Sequence, residues 1–95
     1  MSEIFSLDSL VEQEGPVIIK SGKEHSFSTN WTTATEFHLH NSDLEGMIEV
    51  WALGKKQGGG KVPPNYDKRD SKNCHGVAVT VKNKGKSTFT ITTNH

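Results

Sequence analysis

The amino-acid sequence predicts an all-β protein: a small antiparallel β-sandwich of the jelly-roll or immunoglobulin-like type, with six or seven short strands in one domain over residues 1–95. Apolar and polar residues alternate in several short segments, which is typical of strands with one face in a core and one face in water. Turn residues separate these segments at the spacing of a sandwich. The 95 residues include one cysteine, so no disulfide within the chain can stabilise the fold.

Each predicted strand comes from its own stretch of alternation. Phe37 and Leu39 lie on one face of a strand at 36–41, and a second strand follows at 46–53. "HGVAVTVKN" and "STFTITT" predict the last two strands, and threonine suits the outer face of the latter. The inward-facing residues of these later strands are Ile48, Val50, Ala52, Val77, Val79, Val81, Phe89 and Ile91.

Short Gly-containing connections predict hairpins between neighbouring strands. "NSDLEG" (41–46) and "KNKGK" (82–86) each follow a predicted strand that ends at or near an Asn. Each also contains a Gly, as hairpin turns often do. "GPVIIKSGKEHSFS" predicts a further pair of strands joined at Ser21-Gly22. We therefore expect three hairpins.

The N-terminal segment predicts a short helix. Ser9 stands three residues before Glu12, as in a capping box, and Gly15-Pro16 would end the helix. The alternative is an edge segment laid across the sheet. The segment lacks the basic and apolar regions of a secretory signal, and no apolar run approaches the roughly 20 residues that span a bilayer. We expect a cytoplasmic protein, or one exported without a cleavable signal, and no transmembrane segment.

"GKKQGGGKVPPNYDKRD" (54–70) predicts a long basic loop, over about residues 54–73, with neither helix nor strand. A phosphate-binding P-loop is excluded because Val62 follows Gly60-Lys61 and because Pro63-Pro64 prevents the helix that such a loop needs. The loop either contacts an anionic surface or is a solvated connection. The candidate ligand-binding residues in it are Lys55, Lys56, Lys61, Lys68, Arg69 and Tyr66, with Lys72 adding a further charge. One aromatic residue is too few for nucleic acid, which we do not expect as a partner.

His38 and His40 point to the same face of their strand, a spacing found in metal sites when a third donor lies nearby. His25, His75 and Glu49 are the candidates for that donor. Two ligands do not make a site, so we expect no metal, and His38 and His40 are kept as ligand-binding residues on a polar face.

Trp51 and Trp31 are candidates for a sugar-binding platform. Trp51 lies on the face opposite Val50, where it would stand beside His38, His40 and Glu49. An exposed indole stacks on a pyranose while nearby polar groups bind its hydroxyls. The alternative for both tryptophans is a place in the core or in a subunit interface.

No catalytic or cofactor site is expected. Cys74 and His75 are adjacent on a predicted strand, so their side chains would point to opposite faces and could not act as a nucleophile and its base. No pair of carboxylates lies isolated in apolar sequence.

The charges are separated along the chain. Residues 1–53 carry nine acids and two bases, and residues 54–95 carry two acids and nine bases, so the halves stand near −7 and +7. Either the halves neutralise each other within one fold, or opposite charges join copies of the chain or attract an anionic partner.

The C-terminal "HGVAVTVKNKGKSTFTITTNH", with the earlier "FHLHNSDLEGMIEVW", resembles the end of the PirA-type component of insecticidal binary toxins. The resemblance implies a jelly-roll domain that recognises a cell-surface glycan while a larger partner forms the pore.

These observations predict a binding module rather than an enzyme. We expect lectin-like recognition of a cell-surface glycan or an anionic surface. The resemblance implies that the module is a component of a toxin. The alternative is an assembly subunit that forms a homo-oligomer or docks onto a larger protein.

Overall fold

A computed structural model describes residues 16–94 and contains eight antiparallel strands. The all-β prediction is confirmed, with one or two strands more than expected. The predicted N-terminal helix lies outside the described residues. The strands are β1 Val17–Ile19, β2 Glu24–Phe27, β3 Thr35–Asn41, β4 Gly46–Ala52, β5 Lys55–Val62, β6 Asp67–Lys72, β7 Val79–Asn83 and β8 Phe89–Thr93. Within residues 16–94 no helix is long and apolar enough to cross a membrane.

The strands form two four-stranded sheets with a jelly-roll order. One sheet runs β1-β8-β3-β6 and the other runs β2-β7-β4-β5. Every connection except β4–β5 therefore passes from one sheet to the other. If β1–β4 exchange numbers with β5–β8 in order, the first sheet order becomes the second, read in reverse. The two halves of the chain, β1–β4 and β5–β8, are therefore equivalent.

The three predicted hairpins are wrong, because the strands on either side of each turn lie in different sheets. Ser21-Gly22, 41–46 and 82–86 are corners of the sandwich. The hairpin in the described chain is the β4–β5 turn, where Leu53 and Gly54 have φ values of 55° and 71°. Positive φ at both central residues matches the twist of the flanking strands.

A buried asparagine fixes each of two equivalent corners. Asn83 ends β7, and its side-chain amide donates to the carbonyls of Ile19 and Ser87 at 2.9 and 2.8 Å. Asn41 ends β3, and its amide donates to the carbonyls of Leu44 and Pro63 at 2.8 and 2.9 Å. The doubled sequence pattern of strand, Asn and Gly-containing turn is therefore a repeated corner, not a repeated hairpin.

The core lies between the sheets and towards the edge formed by β1 and β2. Phe27 is fully buried and meets Phe37 edge-on, with ring centroids 5.9 Å apart. Of the predicted inward-facing residues, Val81, Phe89 and Ile91 are buried, and Phe37 and Leu39 are partly buried against them. The buried apolar side chains among residues 16–94 are Ile19, Phe27, Val62, Val81, Phe89 and Ile91.

The prediction of a long basic loop over residues 54–73 is wrong. The strands β5 and β6 occupy most of this segment, and the connection between them is short, Pro63–Tyr66. β5 pairs with β4 along seven residues despite its three glycines, with a bulge opposite Val50 and Trp51. Glycine is required at position 59, opposite Glu49, because a Cβ would collide with the Ile48 carbonyl oxygen. Neighbouring strands thus impose a structure that the composition of this segment disfavours.

Candidate binding cleft

β5 and β6 are edge strands of opposite sheets, and the sandwich is open between them. The opening leads into a cleft of about 670 Å³ that reaches the floor of the core. This volume lies within the range of small-molecule sites. The apolar residues that line the floor are Phe37, Leu39, Ile48, Val50, Val79, Val81 and Ile91.

Glycines of β5 make room for the cleft. Gly60 lies opposite Ile48, and Gly58 lies opposite Val50, so both belong to the inner face of the sheet. A Cβ at either glycine would meet no atom within 4 Å. The inner face of β5 therefore leaves the side chains of β4 uncovered.

Charged side chains of β6 form the opposite wall. Lys68 pairs with Leu39, Asp70 with Phe37, and Lys72 with Thr35, so all three share the inner face with core residues. They are exposed and line the cleft. Lys61 of β5 lines it from the other side. None of these three lysines forms an ion pair within 4.0 Å with any residue of 16–94.

The cleft brings together part of the predicted basic set. Lys61, Lys68 and Tyr66 line it, and Tyr66 stands at the Pro63 end. Arg69 pairs with His38 and so faces outward on β6. Lys55 and Lys56 are exposed at the start of β5, and Lys56 Nζ lies 3.6 Å from Glu49 Oε2.

Sequence reasoning missed Asp70 and the two inner-face glycines as parts of a site. Gly58 and Gly60 carried a signal, since glycine inside a strand often marks a bulge or a place that a ligand or another backbone approaches closely. That signal is lost when the whole segment is interpreted as a loop.

His38 and His40 lie on the outer face of the β1-β8-β3-β6 sheet, where both approach one carboxylate. His40 Nδ1 lies 2.9 Å and His38 Nε2 lies 3.5 Å from Asp67 Oδ1. The hydrogen bond with the His40 ring holds the pKa of Asp67 below its usual value. The carboxylate beside the histidines is thus Asp67, which pairs with His40 across β3 and β6.

The third donors considered from sequence lie elsewhere. Glu49 is on the outer face of the other sheet, His75 is in the β6–β7 loop, and the His25 ring packs 4.7 Å from that of Phe27. No group of three His, Cys, Asp or Glu side chains within residues 16–94 is placed to hold a metal ion.

Trp51 does not lie beside His38 and His40, contrary to the prediction, because β3 and β4 belong to different sheets. Its indole N–H donates to Glu49 Oε1 at 3.0 Å, and this bond lowers the pKa of Glu49. The Lys82 ammonium lies 4.3 Å from the ring centroid. Trp51 is half-buried, and the ring face under Lys82 is already covered.

Trp31 lies in the β2–β3 connection and is 77% exposed. Its ring rests on the β6–β7 loop, where a Cβ on Gly76 would approach Trp31 Cε2 to 2.7 Å. The Gly76 N–H donates to the Asn30 carbonyl at 2.9 Å, which ties the two loops together. Trp31 is therefore an exposed aromatic surface outside the cleft.

Comparisons with known proteins support the fold. No protein-family model matches the sequence, and no curated protein matches it significantly. Among solved structures, a de novo designed double-stranded β-helix determined by solution NMR is similar, with a TM-score of 0.52. The similarity covers 84% of this chain and 96% of the designed chain at 14% identity. At that identity it shows the fold alone, a two-sheet antiparallel architecture.

Proposed function

We propose that this protein is a non-enzymatic binding module whose ligand has an elongated apolar body and occupies the cleft between β5 and β6. The observation that carries the proposal is the open apolar floor beneath the inner-face glycines. Apolar surface in contact with water is unfavourable by about 25 cal/mol per Å². A ligand that covers this floor gains that free energy on binding.

The open volume of the cleft can be reduced by a single substitution, which makes the proposal testable. Gly58 has no positive φ and has open space around its Cα, so a larger residue fits without backbone strain. A short apolar side chain at this one position would cover part of the floor.

The test uses the neutral fluorescent probe N-phenylnaphthylamine. We expect saturable binding to the wild-type protein, with the blue-shifted emission of an apolar site. Gly58→Leu should weaken binding by at least about tenfold, because the leucine occupies the volume that the probe needs. Gly58→Ala should have an intermediate effect.

Lys86→Leu is the matched control, since it adds the same side chain at an exposed position in the β7–β8 corner. It should bind the probe as the wild type does. Equal binding by Gly58→Leu, with its fold intact by circular dichroism, would place the probe elsewhere and contradict the proposal.

A second candidate function is glycan recognition at Trp31, favoured by its exposed ring and its support on Gly76. The resemblance of the C-terminal strands to PirA-type proteins implies the same role. A glycan array at physiological and at high salt tests it: a salt-resistant hit that Trp31→Ala abolishes is the expected result. A hit unchanged in Trp31→Ala would remove this residue from consideration.

A further inference from the structure

We infer that the cleft selects ligands with a single negative charge at one end, of the long-chain carboxylate class. The inference rests on the proposed function and adds the chemistry of the head group. The apolar floor would hold the alkyl chain, while the ammonium groups of β6 would hold the carboxylate. The ligand is thus a free alkyl carboxylate bound between the sheets.

The position of the charges carries the first step. Lys68 and Lys72 are on the inner face of β6 and line the cleft, with Lys68 in register with Leu39 of the floor and Lys72 in register with the buried Thr35. The outer face of β6 carries Asp67, Arg69 and Ser71, whereas Lys68 and Lys72 point inward, towards the cleft.

The second step is that these cations lack partners. Lys61, Lys68 and Lys72 make no ion pair within 4.0 Å with residues 16–94, whereas Asp67, Glu49 and Lys56 do. Lys68 and Lys72 are four residues apart, so their Cα atoms are about 13 Å apart along the strand. Their long, flexible side chains let both ammonium groups approach a head group placed between them. An anionic head group at the mouth would gain charge-assisted hydrogen bonds there.

Asp70 lowers the net positive charge on the inner face of β6. It lies between Lys68 and Lys72 on the same face of β6. The carboxylate reduces the sum over the inner-face residues Lys68, Asp70 and Lys72 to +1. A singly charged head group neutralises this sum, whereas a doubly charged phosphate would leave a net negative charge beside Asp70. Arg69, which would suit a phosphate through its planar fork, points to the outer face.

The experiment compares decanoate, decanol and decyltrimethylammonium, each below its micelle concentration, as competitors of N-phenylnaphthylamine. We expect decanoate to bind roughly fivefold more tightly than decanol, from two modest charge contacts. Decyltrimethylammonium should bind most weakly. Octanoate should bind about tenfold more weakly than decanoate, because two methylene groups are lost from the floor.

The variant is Lys68→Gln/Lys72→Gln, with Lys20→Gln/Lys86→Gln as a control that removes two charges at exposed corner positions. The first should bring decanoate to the affinity of decanol and leave decanol unchanged; the second should keep the preference. If decanol and decanoate bind equally to wild type, or if the first variant keeps the preference, the head-group inference is wrong and the proposed function stands. If no competitor displaces the probe, the proposed function fails as well.

Discussion

At the edge formed by β1 and β2, large apolar side chains fill the space between the sheets, whereas the equivalent edge formed by β5 and β6 stays open. Phe27 lies opposite Val79, which stands four residues before Asn83. The same position in the other half belongs to Asp70, opposite Phe37, four residues before Asn41. One scaffold position therefore holds a fully buried phenylalanine on one side and an exposed carboxylate on the other.

The strands beside these positions differ in the same direction. Val17 lies opposite Ile91 on β8, and its equivalent on β5 is Gly60, opposite Ile48. The edge formed by β1 and β2 thus carries large apolar side chains that stabilise the fold. The edge formed by β5 and β6 lacks them and leaves an open volume between the sheets. In a protein of this size such a loss is a sizeable part of the total stability, which points to a use for the open edge.

The largest expected effect is at the Phe27 position. Phe27→Ala should lower the free energy of unfolding by about 3–5 kcal/mol, because it removes a buried ring and leaves a cavity beside Phe37. Asp70→Ala, at the equivalent position, should change it by less than about 0.5 kcal/mol. Urea unfolding of both variants measures the difference. Similar losses in the two variants would contradict the contrast between the edges.

The alternation of apolar residues was sufficient to predict most strands and their inner faces. Phe89 and Ile91 are buried, as the pattern of "STFTITT" predicts. The same pattern could not predict which strands pair. An Asn and a Gly between two alternating segments occur both in a hairpin and in a corner between sheets, and here 82–86 is a corner.

The cleft could not be predicted, because it depends on which strands become edges. Gly60 lines the cleft, with Gly58 next to it on the inner face, only because β5 pairs with β4 and leaves its other side free. Glycine and lysine disfavour a strand locally, so the pairing comes from the strands around it. The inward direction of Lys68 likewise follows from its register with Leu39 on β3.

The next effect concerns the two corners. Asn83→Ala should lower the free energy of unfolding by about 2–3 kcal/mol, because both carbonyls that its amide serves lie in buried hydrogen bonds. Asn41→Ala should lower it by less, about 1–2 kcal/mol, since the bonds to the Leu44 and Pro63 carbonyls are only partly buried and the buried bond to the Val62 carbonyl is long, at 3.3 Å. Among residues 16–94, no group donates a hydrogen bond to Asn41 Oδ1. The loss of this oxygen in Asn41→Ala therefore costs no further hydrogen bond.

Thermal and urea unfolding of the two alanine variants, under the same buffer conditions, give the comparison. A loss in Asn41→Ala that equals or exceeds that in Asn83→Ala would mean that the corner beside the open edge is as firmly closed as the other. The difference in packing between the two edges would then be confined to strands β5 and β6, and the two corners would contribute equally to the free energy of unfolding.

The smallest effect is the dependence of stability on pH at the start of β6. The pKa of Asp67 in the folded protein lies below its usual value of 3.8, chiefly through the hydrogen bond with His40. Its contribution is therefore fully present above that value and is lost as the pH falls through the lower, folded-state pKa. Asp67 is exposed, so the urea midpoint should fall only slightly more in wild type than in Asp67→Asn between about pH 5 and pH 2. Asp43→Asn, an exposed carboxylate in the β3–β4 corner, is the control and should follow the wild type. If the urea midpoint of Asp67→Asn has the same pH dependence as the wild type, the contacts of Asp67 with His38 and His40 do not stabilise the start of β6. Its position would then depend on backbone pairing with β3 alone.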